Sequence, residues 1–339
     1  MPIRPAIDAT DGTPPIQMYT APSSSSEENA RWKTISEYAE FDGLVPLSHD
    51  ADGNWRKSKA KIILVLSGLG RELATFKSTK ELLCVFADAA DTHQQALDKA
   101  DILHRDVSPG SILITDEGRG ALVDWDVHKH VDDTTKDISQ SERTGTFQFL
   151  SARFVNLNYR AFESGPHSRL DDIESFILAL QWIVLRFVHH GMHPITLGIE
   201  LYTRFDEALP GSRGRMICQG RLTSIWDSLW MTCKNFKGIL RDLLEDLGKI
   251  ISVRYIPAED MQEAQASYQD YQNERKLGPA LKYTTMAARH AILLKQLEDT
   301  DWFRDRLRQA AEDPQCPTND TSTPQAWERP VIGQKILYI

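Results

Sequence analysis

Hydrophobic positions fall into helical stripes joined by short unbroken apolar runs. From Ser78 the stripe Leu82, Leu83, Phe86, Ala89, Ala90 and Leu97 keeps to one face of a helix ending near Lys99. Its start, Ser78-Thr79-Lys80-Glu81, reads as a capping box in which serine and glutamate satisfy each other's free amides. SILIT and GALVDW flank Asp116-Glu117-Gly118 and predict two strands of a hairpin. A helix is predicted from about Asp171 to His189, buried inside a domain because FILALQWIVLRFV is the most apolar run of the chain. That run is too short to cross a bilayer and is broken by Gln181 and Arg186. Upstream, EENARWKTISEYAEF predicts a helix behind capping serines, and GLVPLSH and KAKIILVLSG predict strands parted by the turn-like HDADGN. Residues 127–150 are polar and without period; the remainder to about Ala311 is mostly helical, including WDSLWMTCKNFKGILRDLLEDLGKI and MAARHAILLKQLEDTDWFRDRLRQAA. The polar ends, 1–27 and 312–339, read as a disordered segment and a tail closing on the apolar VIGQKILYI.

Charge and cysteine usage narrow the function classes. A net charge of −9, with no basic face, argues against nucleic-acid or anionic-membrane binding. Cys84, Cys218, Cys233 and Cys316 are scattered with no CxxC pair, which fits a reducing compartment and an intracellular protein. MPIRPAIDATDGTPP lacks the apolar core of a secretory signal. His128, His130 and the HHGMH cluster (His189, His190, His193) lack Cys or Glu partners and are thin grounds for zinc. Gly68-x-Gly70, with Leu73 where a third glycine would stand, and Gly118-x-Gly120, which is turn chemistry in the hairpin, read as structural and not as phosphate loops.

The chemistry concentrates in ILHRDVSPGSILITDEGRGALVDWD, 102–126. An aspartate ahead of a short hairpin and a second just after it suit phosphoryl transfer, since the hairpin returns both carboxylates to one edge of a cleft. Asp106 would take the proton of an attacking hydroxyl, and Asp124 would hold Mg²⁺ against nucleotide phosphates, a hard cation on a hard oxygen. HRDVSPGSIL, with DWD following, resembles the catalytic loop and metal-binding motif of protein kinases. In order with them, KIILVLSGLG resembles the last small-lobe strand and hinge, RTGTFQFLSARF the end of an activation segment, and HSRLDDIESFILALQW the central large-lobe helix. The set is most similar to the fungal-type protein kinase family, over roughly residues 60–240.

The resemblance implies an α+β, protein kinase-like fold, mainly a helical C-terminal lobe over 69–311, with a reduced N-terminal lobe over 28–68. It implies ATP and Mg²⁺ as cofactors and a protein substrate phosphorylated at Ser or Thr. Asp106 becomes the base, Asp124 a metal ligand and Ser111 a substitute ligand, standing where the family carries asparagine. Ser67, Gly68 and Leu69 would offer hinge groups to adenine, and Leu113 its floor. His104, Arg105 and Asp172 become structural supports, with Arg105 also able to meet a phosphate on Thr134, Thr135, Ser139, Ser141 or Thr144. Asp126 replaces the usual glycine, and Ser108 a lysine common in serine/threonine kinases. No GxGxxG and no VAIK-like lysine precede KIILVLSG, so a small lobe truncated or completed from elsewhere is expected; Glu37 is a weak candidate for its glutamate. Two other readings follow: a catalytically inactive kinase-like scaffold, and a small-molecule phosphotransferase of the aminoglycoside or choline kinase type, which shares the VDWD ending.

Overall fold

A computed structural model describes residues 48–49, 55–56, 70–127, 129–130, 145–156, 166–211, 216–226, 233, 236–256, 262, 266 and 286–330. The chain divides into two compact units, Met1–Val65 and Leu66–Ile339. In the first, β1 (Ser48–His49) and β2 (Trp55–Arg56) pair antiparallel, with His49 opposite Trp55. The helix predicted for EENARWKTISEYAEF and the apolar run of KAKIILVLSG lie outside the described residues.

The second unit opens with β3 (Arg71–Glu72) and the long helix α1 (Thr79–Ala100). Ser78 Oγ accepts from Glu81 N at 3.1 Å. Glu81 does not reach back to Ser78: Oε2 accepts from Lys77 N at 2.6 Å and Oε1 from Arg71 Nη2 at 2.5 Å. Half of the predicted capping box is made, and the other half ties the helix start to β3. After β4 (Ile102–Leu103), the predicted hairpin forms as β5 (Ile112–Ile114) and β6 (Gly120–Leu122), with Leu113 opposite Ala121. β3 joins its other edge, Glu72 opposite Leu113, giving the sheet order β3-β5-β6. Lys129–His130 (β7) pairs with β4.

A four-residue helix α2 (Ala152–Val155) leads to the central helix α3 (Arg169–Phe187), buried without a break from Asp171 to Gln181. Then come α4 (Pro194–Leu201), one π turn over Tyr202–Asp206, the two-residue strands β8 (Leu209–Pro210) and β9 (Met216–Ile217), α5 (Gly220–Trp226), α6 (Ile239–Ser252), α7 (Met286–Glu298) and α8 (Trp302–Glu312). Leu82, Phe86, Phe176, Leu180, Leu247 and Phe303 join α1, α3, α6 and α8 in one core. The described apolar positions of WDSLWMTCKNFKGILRDLLEDLGKI, from Cys233 and Phe236 to Ile250, are core, as expected, but the stretch is not one helix: α6 starts only after Gly238, whose φ of 93° is not helical.

The segment beyond α8 is bonded along the helical unit. Lys80 N donates to Pro317 O at 3.0 Å, Thr323 N to Phe187 O at 2.8 Å, and Gln325 N to Arg186 O at 2.8 Å. Asp320 accepts from the Thr79 amide and hydroxyl at the start of α1, at 2.8 and 2.6 Å. Glu328 lies so close to α4 that a Cβ on Gly198 would fall 1.6 Å from its carbonyl oxygen. Among the described residues no helix is long and apolar enough to cross a membrane.

Candidate functional site

The site is assembled around a carboxylate with no access to water. Asp172, in the first turn of α3, accepts four hydrogen bonds from three other parts of the unit. Oδ2 takes His104 N at 3.0 Å and His93 Nε2 at 2.7 Å; Oδ1 takes Arg105 N at 3.0 Å and His167 Nε2 at 2.7 Å. Burial works against the charge, and His167, with His93, outweighs it and holds the carboxyl well below the usual carboxylate range. The consequence is local: two consecutive amides of the His104-Arg105-Asp106 turn are pinned, and Arg105 keeps a left-handed backbone at φ 70°.

His104 ties this turn to the second motif. Its Nδ1 accepts from Asp106 N at 3.2 Å, so the proton sits on Nε2, which donates to Val123 O at 2.8 Å. Burial lowers its pKa and keeps the ring neutral, as this double role requires. The ring also packs edge-on to Trp125, with centroids 4.5 Å apart. Val123 N in turn donates to Ser111 O at 2.9 Å. Val123 is thus clamped on both sides, and the next residue, Asp124, turns out at φ 64°. Asp124 and Asp126 are exposed, and neither forms a hydrogen bond or ion pair with the described residues.

Asp106 is half-buried and held through one oxygen. Thr146 donates to Oδ1 from both its amide, at 2.6 Å, and its hydroxyl, at 2.7 Å. Oδ2 has no partner among the described residues. Gly145 makes the approach possible: its φ is 133°, and a Cβ there would lie 2.6 Å from Arg105 O. Ser111, 2% exposed, braces the loop from within. Its hydroxyl accepts from Ser108 N at 2.9 Å and faces Ser108 O at 3.0 Å and Asp106 O at 3.2 Å.

The segment carrying Thr146 is anchored by two buried arginines. Arg221, fully buried, donates to Leu150 O at 2.7 Å, Phe147 O at 3.2 Å, Arg204 O at 2.6 Å and Phe205 O at 3.3 Å. Arg153 reaches Asp171 at 2.7 and 2.5 Å, and Asp171 is shared with Arg254 at 2.8 Å. Glu174 accepts from Ala152 N at 2.6 Å and Tyr255 Oη at 2.6 Å, so helix α3 holds the end of the segment with two carboxylates.

The structure therefore brings His104, Arg105, Asp106, Ser111 and Asp172 into one bonded network, with Asp124 one residue from its edge. Leu113 is half-exposed between the buried Ile112 and Ile114, on the opposite sheet face. Ser67, Gly68 and Leu69, together with Glu37, His128 and the phosphorylation candidates 134, 135, 139, 141 and 144, lie outside the described residues. Of the HHGMH histidines, His190 bonds Leu185 O and Met192 N, and His193 caps α4. No cluster of three metal-ligating side chains occurs among the described residues. Thr146, His93 and His167 were not legible as site residues. RTGT is visible, but not which threonine turns inward; His93 reads as one more position on an apolar stripe.

A family model for fungal protein kinase matches residues 8–184, just over half of the chain, and takes in every residue of this network. No curated protein matches the chain.

Proposed function

The chain belongs to the fungal protein kinase family, and from that premise we propose that it transfers the γ-phosphate of ATP to Ser or Thr hydroxyls of a protein substrate. The observation that carries the reading is the state of Asp106, with Oδ1 fixed by Thr146 and Oδ2 without a partner among the described residues. A carboxylate held that way can accept the proton of a hydroxyl without losing its orientation. A protein hydroxyl is preferred over a small-molecule acceptor because Thr146, Gln148 and Phe149 of the segment line, with Ser108 to Gly110, an open cavity beside Asp106 that could take residues flanking the acceptor.

Asp124 and Asp126 suit Mg²⁺, being exposed carboxylates with no competing partner among the described residues. When bound, the metal would neutralise charge on the nucleotide phosphates. His104 sets the position of Asp124 through the Val123 carbonyl. Ser111 would brace the loop in the place of asparagine; its hydroxyl keeps one lone pair for a metal, on a residue 2% exposed. Leu113 would form the adenine floor, and Ser67 to Leu69 the hinge contacts. Residues 69–311 would form the large lobe and 28–68 the reduced small one.

A second reading, an inactive scaffold, is favoured by Ser111, whose hydroxyl is already bonded within its own loop. Thermal unfolding with ATP, with and without Mg²⁺, separates the two on the native chain and Asp124→Asn. Catalysis requires a Mg²⁺-dependent stabilisation, about 2.7 kcal/mol at ATP a hundredfold above Kd, that the substitution removes, together with phosphate transfer lost in Asp106→Asn. Stabilisation in neither protein would sink the enzyme reading and leave the scaffold.

A further inference from the structure

Beside the Ser108-Pro109-Gly110 stretch lies a cavity of about 380 Å³. Its lining includes Thr146 and Gln148, Trp182 and Arg186 of α3, and Asp206 and Trp327. Because Thr146 is also the residue bonded to Asp106, an occupant of the cavity sits one residue away from the proposed base.

Arg186 is the unusual member. Its guanidinium carbon lies 5.4 Å from the Trp182 ring centroid, 5.8 Å from Phe187 and 5.1 Å from Trp327. It makes no ion pair among the described residues, and its Nε is buried with no hydrogen-bond partner. A planar fork of donors, walled by aromatic rings and with no directly bonded carboxylate among the described residues, is an arrangement that can receive a carboxylate or phosphate. Asp206 shares the cavity and its charge acts on Arg186 from a distance, but it forms no direct ion pair with Arg186 among the described residues. Its negative charge disfavours a doubly charged phosphate more than a singly charged carboxylate.

The outer wall comes from the C-terminal segment. Ser322 N donates to Phe76 O at 3.0 Å, Gln325 N to Arg186 O at 2.8 Å and Glu328 N to Pro194 O at 3.2 Å, which sets Trp327 over the guanidinium. The backbone of Arg186 is thus held by the same segment whose tryptophan covers its side chain.

We infer that this cavity is a specificity subsite of the substrate groove, in which Arg186 holds an aspartate or glutamate side chain flanking the acceptor hydroxyl and Trp327 of the C-terminal segment forms part of the wall. The inference rests on the kinase reading above.

The test uses the full chain with Mg·ATP and neutral serine and threonine peptides carrying one aspartate at each flanking position in turn, with lysine and phosphoserine series beside them. At one position aspartate should raise kcat/KM roughly tenfold or more over alanine, the scale of one charge-assisted hydrogen bond, and lysine should lower it. In Arg186→Gln that ratio should collapse toward one, and Arg186→Lys should retain part of it. Fluorescence anisotropy of labelled peptides reads the subsite apart from turnover. Acid-selective binding without turnover would sink the kinase activity and keep the subsite. Turnover with no acidic preference in the native chain, or a preference that survives Arg186→Gln, would overturn the subsite and keep the kinase. A preference for phosphoserine over aspartate would overturn the carboxylate assignment, and neither binding nor turnover would overturn both. The native peptide profile decides the matter even if a variant fails to fold.

Discussion

Arg105 and Asp124 both hold a left-handed backbone, which for residues other than glycine costs about 1–3 kcal/mol each. Both conformations are held from outside, Arg105 by Asp172 Oδ1 and Asp124 by the doubly bonded Val123 before it. Gly145 is the third special position, because the carbonyl of Arg105 leaves no room for a Cβ. Gly145→Ala should therefore destabilise the fold by more than about 2 kcal/mol and release Thr146 from Asp106. Thr146→Val, which deletes only the hydroxyl bond, should cost about 1 kcal/mol and lower turnover. Thermal unfolding and phosphate-transfer rates on the two variants check this. Equal stability loss in both would mean that Gly145 does not set the approach. HRD and DWD could be read as a pair of carboxylate motifs from the chain alone. That one threonine orients Asp106 could not, because the contact spans forty positions with no local signal.

At the scale of elements, hairpin and helices followed from local patterning. β5 and β6 form where SILIT and GALVDW alternate around a turn, and α1 starts at the predicted cap. The predicted central helix, 171–189, is displaced by two residues at each end and observed as Arg169–Phe187, since Ser168 caps it through Asp171. Arg221 is the opposite case. A buried arginine that among the described residues serves four carbonyls and no carboxylate has no sequence signature; burial lowers its pKa, yet four acceptors satisfy the fork. Arg221→Met should destabilise by about 2–4 kcal/mol, because the 147–150 and 204–205 carbonyls lose their common donor. Arg221→Lys should fall between, its compact ammonium reaching fewer of them. Chemical denaturation measures both; a near-neutral Arg221→Met would show that these carbonyls find other donors.

For the molecule as a whole, acid is the probe of the buried carboxylates. Asp171 and Asp172 are held far below ordinary carboxylate values, burial being outweighed by Arg153 and Arg254 at the first and by His167 and His93 at the second. Folded pKa values below the unfolded ones mean that their stabilisation is complete above about pH 4 and drains away as pH falls below it. His104 and His190, kept neutral by burial, add a loss that begins as pH drops below about 6.5, where the unfolded chain takes up protons. Glu174, pushed up by burial, acts in the other direction above about pH 4.5. Stability measured against pH should thus fall steeply on the acid side. In Asp172→Asn the slope below pH 4 should be shallower by about one proton, roughly 1.4 kcal/mol per pH unit. An unchanged slope would mean that Asp172 is not ionised in the folded protein.

Patterning along the chain was enough to determine the long helices α1 and α3, the hairpin and the two carboxylate motifs, because each depends on neighbours a few positions apart. It also marked Asp172 as a carboxylate that needs donors. Only the tertiary structure decided which donors: two backbone amides and two histidines from separate stretches of chain. It likewise decided that a segment reading as a polar tail is bonded to the C-terminal end of α3 and puts Trp327 over Arg186. Backbone hydrogen bonds and cation–aromatic contacts between distant segments leave no periodicity behind, so they become visible only once the chain has folded.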